Sequence, residues 1–291
     1  MVLPGGLALF NRRTVLTSSL GLALWPNIGG ATKFAEPCSI PPSELMPWEP
    51  PFIVGYANSQ AKIRFLASRH EFDPTSATHN LIQRELGRGL PFLIVEGVPS
   101  SLGKDPPHVI NDAKNMLRAG RIPEPLYAVA LAADRGLSVM GGDLSTSELI
   151  THSRASGFNS ADILGSHVLR RMTNDKGTSP AALVERMRRY FPDIEKSFSF
   201  EDWFKETYDV PYSISENARN LGTPCGADLA SRIVRSETDA RNNHLHQIIA
   251  TFDDKLLDKM VVFGANHLLA LHPALSKTFP NISSPRSATF I

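Results

Sequence analysis

The stretch that most constrains this chain lies near its end. Lys259-Met260-Val261-Val262-Phe263 is followed by Gly264-Ala265-Asn266-His267 and then by an apolar run from Leu268. A short, mostly apolar run bounded by Gly reads as a buried strand, and the Leu- and Ala-rich continuation to Ala274 reads as a helix. His267 therefore stands at the carboxyl end of a strand, in the turn into a helix. In open α/β sheets that edge is where ligands bind. A second copy of the arrangement comes earlier, where Lys62-Ile63-Arg64-Phe65-Leu66 leads into Ala67-Ser68-Arg69-His70. The two histidines share one site if their strands are neighbours.

The chain between them supplies more of the same pattern. Residues 75–88 read as a helix with Leu81, Ile82 and Leu86 inward. Pro91-Phe92-Leu93-Ile94-Val95 reads as a second strand and ends in Glu96-Gly97. Residues 100–122 are irregular, with a short helix near 111–118. A helix over 123–136 has Pro near its start and Gly at its end. Leu137-Ser138-Val139-Met140 is a third strand, followed by Gly141-Gly142-Asp143. Strand–helix–strand alternation argues for parallel strands with right-handed crossovers, so His70, Glu96, Asp143 and His267 fall on one sheet edge.

Residues 144–222 then read as helical pieces near 159–173, 180–190 and 200–208, an insertion that covers the site. A long helix over about 227–252 has a middle, Ser236 to His244, too polar for a buried face. Glu237 and Arg241 stand four apart there, which reads as a solvated ion pair along one side. The expected architecture is α/β: a central, mainly parallel sheet flanked by helices, in one domain over 53–291, with the helical insertion before the last strand.

The N-terminus reads separately. Arg12-Arg13, the apolar run through Leu20-Gly21-Leu22-Ala23-Leu24-Trp25, and the small residues Gly29 and Ala31 have the form of an export signal over 1–31. It resembles the twin-arginine type and implies a periplasmic or extracellular protein handled by the twin-arginine translocation machinery. The apolar run is far shorter than the ~20 residues a membrane span needs. Pro37, Pro41, Pro42, Pro47, Pro50 and Pro51 make residues 32–52 an extended spacer. Cys38 and Cys225 are the two cysteines; an exported chain either pairs them or leaves both as thiols. A net charge of +1 gives no electrostatic case for nucleic acid.

No HExxH, GxSxG, P-loop or paired CxxC occurs. His108, His152, His167 and His272 read as surface or core fillers, and His244 and His246 as surface. What remains, two His and two acids at strand ends, suits a metal of the Zn, Mn or Fe type, or metal-free activation of water by His and Glu.

Ala67-Ser68-Arg69-His70, Ile94-Val95-Glu96-Gly97, Arg241-Asn242 on the long helix and Val261 through Leu268 together resemble the Tiki/TraB, erythromycin-esterase and ChaN-like superfamily. Its members carry a GxxH element, a Glu after the second strand, an Arg-Asn element and a closing GxxH, here in the same order over roughly 60–280. Ala67 stands in place of the first Gly, and Ala240 where an acid often precedes the Arg-Asn pair. The resemblance implies that His70, Glu96, Arg241 and His267 line the site, with Asn242 beside them and Glu237 at its edge. Asp143 rests on its strand-end position alone. Tiki-like members are implied to be metal-dependent proteases, erythromycin esterases to open a lactone with His and Glu, and ChaN-like members to bind haem. The expectation is an exported hydrolase acting on a peptide or ester bond of a peptide or small molecule. In it His70, Glu96 and His267 either hold a divalent metal (Mn, Zn, Co or Fe) or polarise water directly. The alternatives are a haem- or metal-binding envelope protein and a degenerate member with a structural role.

Overall fold

The computed structural model describes residues 49–88, 92–174, 177–213, 221–223, 225–251 and 258–287. The expected export signal over 1–31, Cys38 and most of the Pro-rich spacer lie outside them. Cys225 is disulfide-bonded, and the chain's one other cysteine is Cys38.

Four strands run parallel. β2 (Lys62–Ser68), β3 (Phe92–Pro99), β4 (Ser138–Asp143) and β5 (Asp258–Gly264) lie in the order β4-β3-β5-β2. The last of them in sequence sits between the first two. Ala67 pairs with Phe263 and Ser68 with Gly264 on one side of β5; Val95 pairs with Val262 on the other. The histidine-bearing strand ends are therefore adjacent.

Beyond β2 the sheet turns antiparallel through β1 (Phe52–Ala57), which carries the two-residue strands β6 (Asn281–Ile282) and β7 (Arg286–Ser287) on its far side. The sequence reading missed all three. β1 follows the prolines directly, and both its faces are largely covered, so it lacks the alternation that marks a half-buried strand. Asn58 turns the chain into β2: its Oδ1 accepts the Gln60 and Ala61 N–H groups at 2.9 and 2.8 Å.

Helices cover both faces. α1 (Ala77–Leu86), α2 (Pro107–Arg118) and α3 (Glu124–Asp134) bury Leu81, Ile82, Ala113 and Val129 against Leu66, Leu93, Val95 and Val262. On the other face Phe65, Ile94, Val261 and Phe263 meet Leu245 and Ile249 of α8 (Leu229–Thr251) and Leu268, Leu271 and Leu275 of α9 (Ala265–Thr278).

Between β4 and β5 the described residues are helical, as expected. α4 (Thr146–Ala155), α5 (Ser160–Asn174), α6 (Pro180–Arg188) and α7 (Phe200–Tyr208) precede α8. They enclose a third apolar cluster around Leu164, Val168, Phe191, Phe200 and Trp203, with Ala230 of α8. Their starts follow local rules: Ser145 and Glu148 form a capping box, Ser179 and Ser199 cap α6 and α7, and Pro180 occupies the first turn of α6. No helix among the described residues is long and apolar enough to cross a membrane.

Candidate functional site

Glu96 and Asp143 are the last polar groups of their strands rather than the residues after them, and a bulge aims them. The β3–β4 register shifts between Val95 and Pro99. In that interval Gly97 takes φ +75°, and the chain at Val98 swings over Gly141. A Cβ on Gly141 would stand 2.0 Å from the Val98 carbonyl oxygen, so the bulge needs glycine there. Bulges of this kind re-aim side chains at sheet ends. Here the Gly97 N–H donates to Asp143 Oδ2 at 2.6 Å.

Both carboxylates grip one arginine. Arg241 donates from Nε to Asp143 Oδ1 at 2.6 Å, and from one terminal nitrogen to Asp143 Oδ2 and Glu96 Oε1 at 2.9 and 2.8 Å. Glu96 Oε2 accepts the Gly264 N–H at 2.7 Å, and His267 Nε2 lies 3.4 Å from Oε1. Burial pushes the Glu96 pKa up. The hydrogen bond and charge of His267, the Arg241 charge and the Gly264 N–H outweigh it and hold the carboxyl well below the ordinary carboxylate range. Burial alone would lower the Arg241 pKa; the two carboxylates raise it instead.

The polar middle of α8 is thus no solvated stripe. Glu237 and Asn242 are buried, and Glu237 does not pair with Arg241. It accepts from His167 Nε2 at 2.8 Å, Arg170 at 3.1 Å and Ser153 Oγ at 3.3 Å. The physical reason is placement: α8 packs one end into the insertion cluster and the other onto the sheet, so its middle crosses the strand ends. Asn242 Oδ1 receives His267 Nδ1 at 2.6 Å, which fixes the His267 ring.

His70 is held by a residue that the sequence did not single out. Its Nδ1 lies 2.8 Å from Oε1 of the buried Glu124, which also accepts Ser68 Oγ at 3.0 Å. That hydrogen bond is the main cause raising the His70 pKa; desolvation and Arg241 oppose it, and Glu96 adds to it, on a side chain that remains 70% exposed to solvent. With Nδ1 engaged, Nε2 faces the cavity. A methyl group built on Gly264 would stand 3.5 Å from His70 Nε2 and 3.4 Å from Glu96 Oε2, so the two side chains flank one point above β5.

No family model, curated protein or solved structure matches the chain.

His70, Glu96, Arg241 and His267 line one cavity of about 400 Å³, together with Ser68, Arg69, Arg170, Thr238 and Asn266. Asp143 and Glu237 line a second cavity of about 300 Å³, which shares Arg170, Thr238 and Arg241 with the first. Ala67 lines neither; it is fully buried in the core on the Phe65 side of the sheet. Its methyl group therefore occupies core space and leaves the site open.

Two sequence readings of histidines change. His244 and His246 are half-buried rather than on the surface, and burial lowers the pKa of each. His167, discounted as filler, holds Glu237 and faces the second cavity. Nothing local in the sequence marks Glu124 or His167: each meets its partner across more than fifty residues, and neither sits in a local motif.

The expected metal set of His70, Glu96 and His267 presents no free carboxylate oxygen. Glu96 Oε1 is taken by Arg241, and Oε2 by a backbone N–H. A guanidinium 2.8 Å from that oxygen also opposes a divalent cation there. Among the described residues no three His, Cys, Asp or Glu side chains form a group that could hold a metal. For haem, His70 offers a ring nitrogen, but Arg69, Glu96, Arg170 and Arg241 stand in the walls, where a large planar cofactor needs a mostly apolar lining.

Proposed function

We propose that this chain is a hydrolase that cuts an ester or peptide bond by water activation at His70, with no metal in the reacting set. The observation that carries the reading is the Glu124–His70 pair. A buried carboxylate fixes Nδ1 as the hydrogen-bearing nitrogen, which leaves Nε2 as a base facing a polar cavity. A water at Nε2 gives up a proton as its oxygen attacks the substrate carbonyl carbon. The carbon–oxygen or carbon–nitrogen bond then breaks, and the imidazolium returns the proton to the leaving group.

Charge developing on the carbonyl oxygen has two sources of support. The first-turn N–H groups of α9, at Ala265, Asn266 and His267, have no side-chain cap from Gly264 and border the same cavity. Arg241 is a cation held in place by two carboxylates, so it needs no reorganisation during the reaction. Asn242 and Glu96 keep His267 oriented beside them. The resemblance to erythromycin esterases, which use His and Glu, supports His70 and Glu96 at this site, whereas Glu124 lies outside the motifs it covers; the metal-dependent and haem-binding branches fit the donor set less well.

The test is a screen of chromogenic esters and peptides against the full chain, His70→Ala and Glu124→Gln, in buffer with and without a chelator. Turnover that survives the chelator and is lost in His70→Ala supports the reading. Turnover restored only by Zn, Mn, Co or Fe would move the assignment to a metallohydrolase; wild-type turnover equal to His70→Ala would sink it. The site is further proposed to work after export, and replacing Arg12 and Arg13 by Lys should then retain the protein inside the cell.

A further inference from the structure

The second cavity contains a surplus of donors. Two carboxylates line it, Asp143 and Glu237, and all four of their oxygens are engaged. Asp143 accepts two bonds from Arg241 and one from the Gly97 N–H. Glu237 accepts from His167, Arg170 and Ser153. Against them stand three guanidinium groups, Arg170, Arg171 and Arg241.

The donor capacity of Arg241 and Arg171 is only partly used. Arg241 bonds through Nε and one terminal nitrogen, and the other terminal nitrogen carries no hydrogen bond among the described residues. Arg171 donates from Nη1 to the Met187 sulfur at 2.9 Å, a weak acceptor. The arginines also disfavour one another. Burial lowers the Arg170 pKa, and Arg241 and Arg171 lower it further, with Glu237 opposing. Burial and then Arg186 lower that of Arg171. Arginine offers five N–H donors and no acceptor, so a wall of this kind is complemented by an oxygen-rich anion.

We propose that this cavity is an oxyanion subsite that receives a carboxylate or phosphate group carried by the substrate whose scissile bond lies at His70. The substrate class is thereby an anionic ester or amide. The inference rests on the hydrolase reading for the reaction, but the anion-binding claim can be measured without it. Arg170, Thr238 and Arg241 border both cavities, so the two spaces are neighbours, and the proposal places one molecule across both. Because Arg241 touches Glu96 on one side and this space on the other, the charged end of the substrate also helps to fix the cation beside the reacting carbonyl.

The experiment is calorimetric titration of the full chain with inorganic phosphate and, separately, with acetate at constant ionic strength. Wild type, His70→Ala, Arg171→Met and Arg171→Lys are compared, with circular dichroism as a folding control. The expected result is saturable binding of at least one anion to wild type and His70→Ala. Binding should be weakened about tenfold in Arg171→Met and less in Arg171→Lys, which keeps the charge but loses the fork. Tighter phosphate than acetate points to a phosphorylated substrate, and the reverse to a carboxylated one. No saturable binding, or equal binding by wild type and Arg171→Met, overturns the proposal.

A kinetic arm compares 4-nitrophenyl acetate with mono-4-nitrophenyl succinate. The preference for the anionic ester should fall about tenfold in Arg171→Met. Anion binding lost in Arg171→Met with neither ester hydrolysed would support the subsite while counting against the hydrolase reading alone.

Discussion

At the scale of single residues, the buried carboxylate behind His70 sets the pH at which the imidazole could serve as base in the proposed reaction. The Glu124 bond raises the His70 pKa above its ordinary 6.5, so the neutral, basic form appears only at higher pH. The acid limb of kcat/KM should therefore lie above pH 6.5. In Glu124→Gln that limb should move to lower pH even as kcat falls by about 10²–10⁴, the range lost when an orienting carboxylate is neutralised. A pH–rate profile of both proteins checks it; a limb that stays in place would remove Glu124 from the mechanism. The same raised pKa means that the pair stabilises the fold below pH 6.5 and ceases to do so as pH rises through the raised value.

Arg241 carries the opposite risk. Its removal in Arg241→Met leaves Glu96 and Asp143 facing each other without a cation. The cost should be about 3–5 kcal/mol, readable as a lower urea midpoint. Glu96 adds an acid-side signature. Its folded pKa is depressed from 4.5, so its contribution is present above pH 4.5 and is lost as pH falls toward the folded value. Urea midpoints should drop more steeply below pH 4.5 in wild type than in Glu96→Gln; parallel curves would refute the assignment.

Among the elements, the bulge in β3 is the least tolerant piece. Gly141→Ala places a methyl group against the Val98 carbonyl, a backbone atom that cannot step aside. It should cost about 1–3 kcal/mol and, by moving Glu96 and Gly97, lower turnover as well. Retained stability with retained turnover would mean that the bulge relaxes freely. Elements of this kind also mark how far the sequence could be read. The four parallel strands were legible because each is a short apolar run punctuated by Gly or a polar strand end, and α1, α3 and α5 to α9 because their apolar spacing and stops are local. The bulge was not, since nothing in Glu96-Gly97-Val98 announces where Gly141 will lie. The polar middle of α8 misled for a related reason: a stripe of charge looks solvated until its partners arrive from β3, β4 and α5. Glu124 sits between Pro123 and Pro125, where an acid is ordinarily read as a dipole partner at a helix start.

For the molecule as a whole, α8 ties the insertion to the sheet. Ala230 belongs to the insertion cluster, and Leu245 and Ile249 belong to the cluster under the sheet. The insertion should therefore not melt on its own. Leu164→Ala, in the fully buried insertion core, should lower the stability of the whole protein by about 2–5 kcal/mol in a single transition. Far-UV circular dichroism and tryptophan fluorescence should then give coincident curves; two separated midpoints would show that the insertion unfolds independently.

The position of β5 has a consequence for how the chain is made. The strand that fills the slot between β2 and β3 is translated nearly two hundred residues after β2. Until it emerges from the ribosome, both of those strands expose an unpaired edge, and the site has neither Gly264 nor His267. Long-range parallel pairing of this kind closes slowly, and open edges invite association with other chains. Biogenesis, rather than the finished structure, is where this protein is most vulnerable: a nascent chain stalled before residue 258 is a sheet with its centre missing.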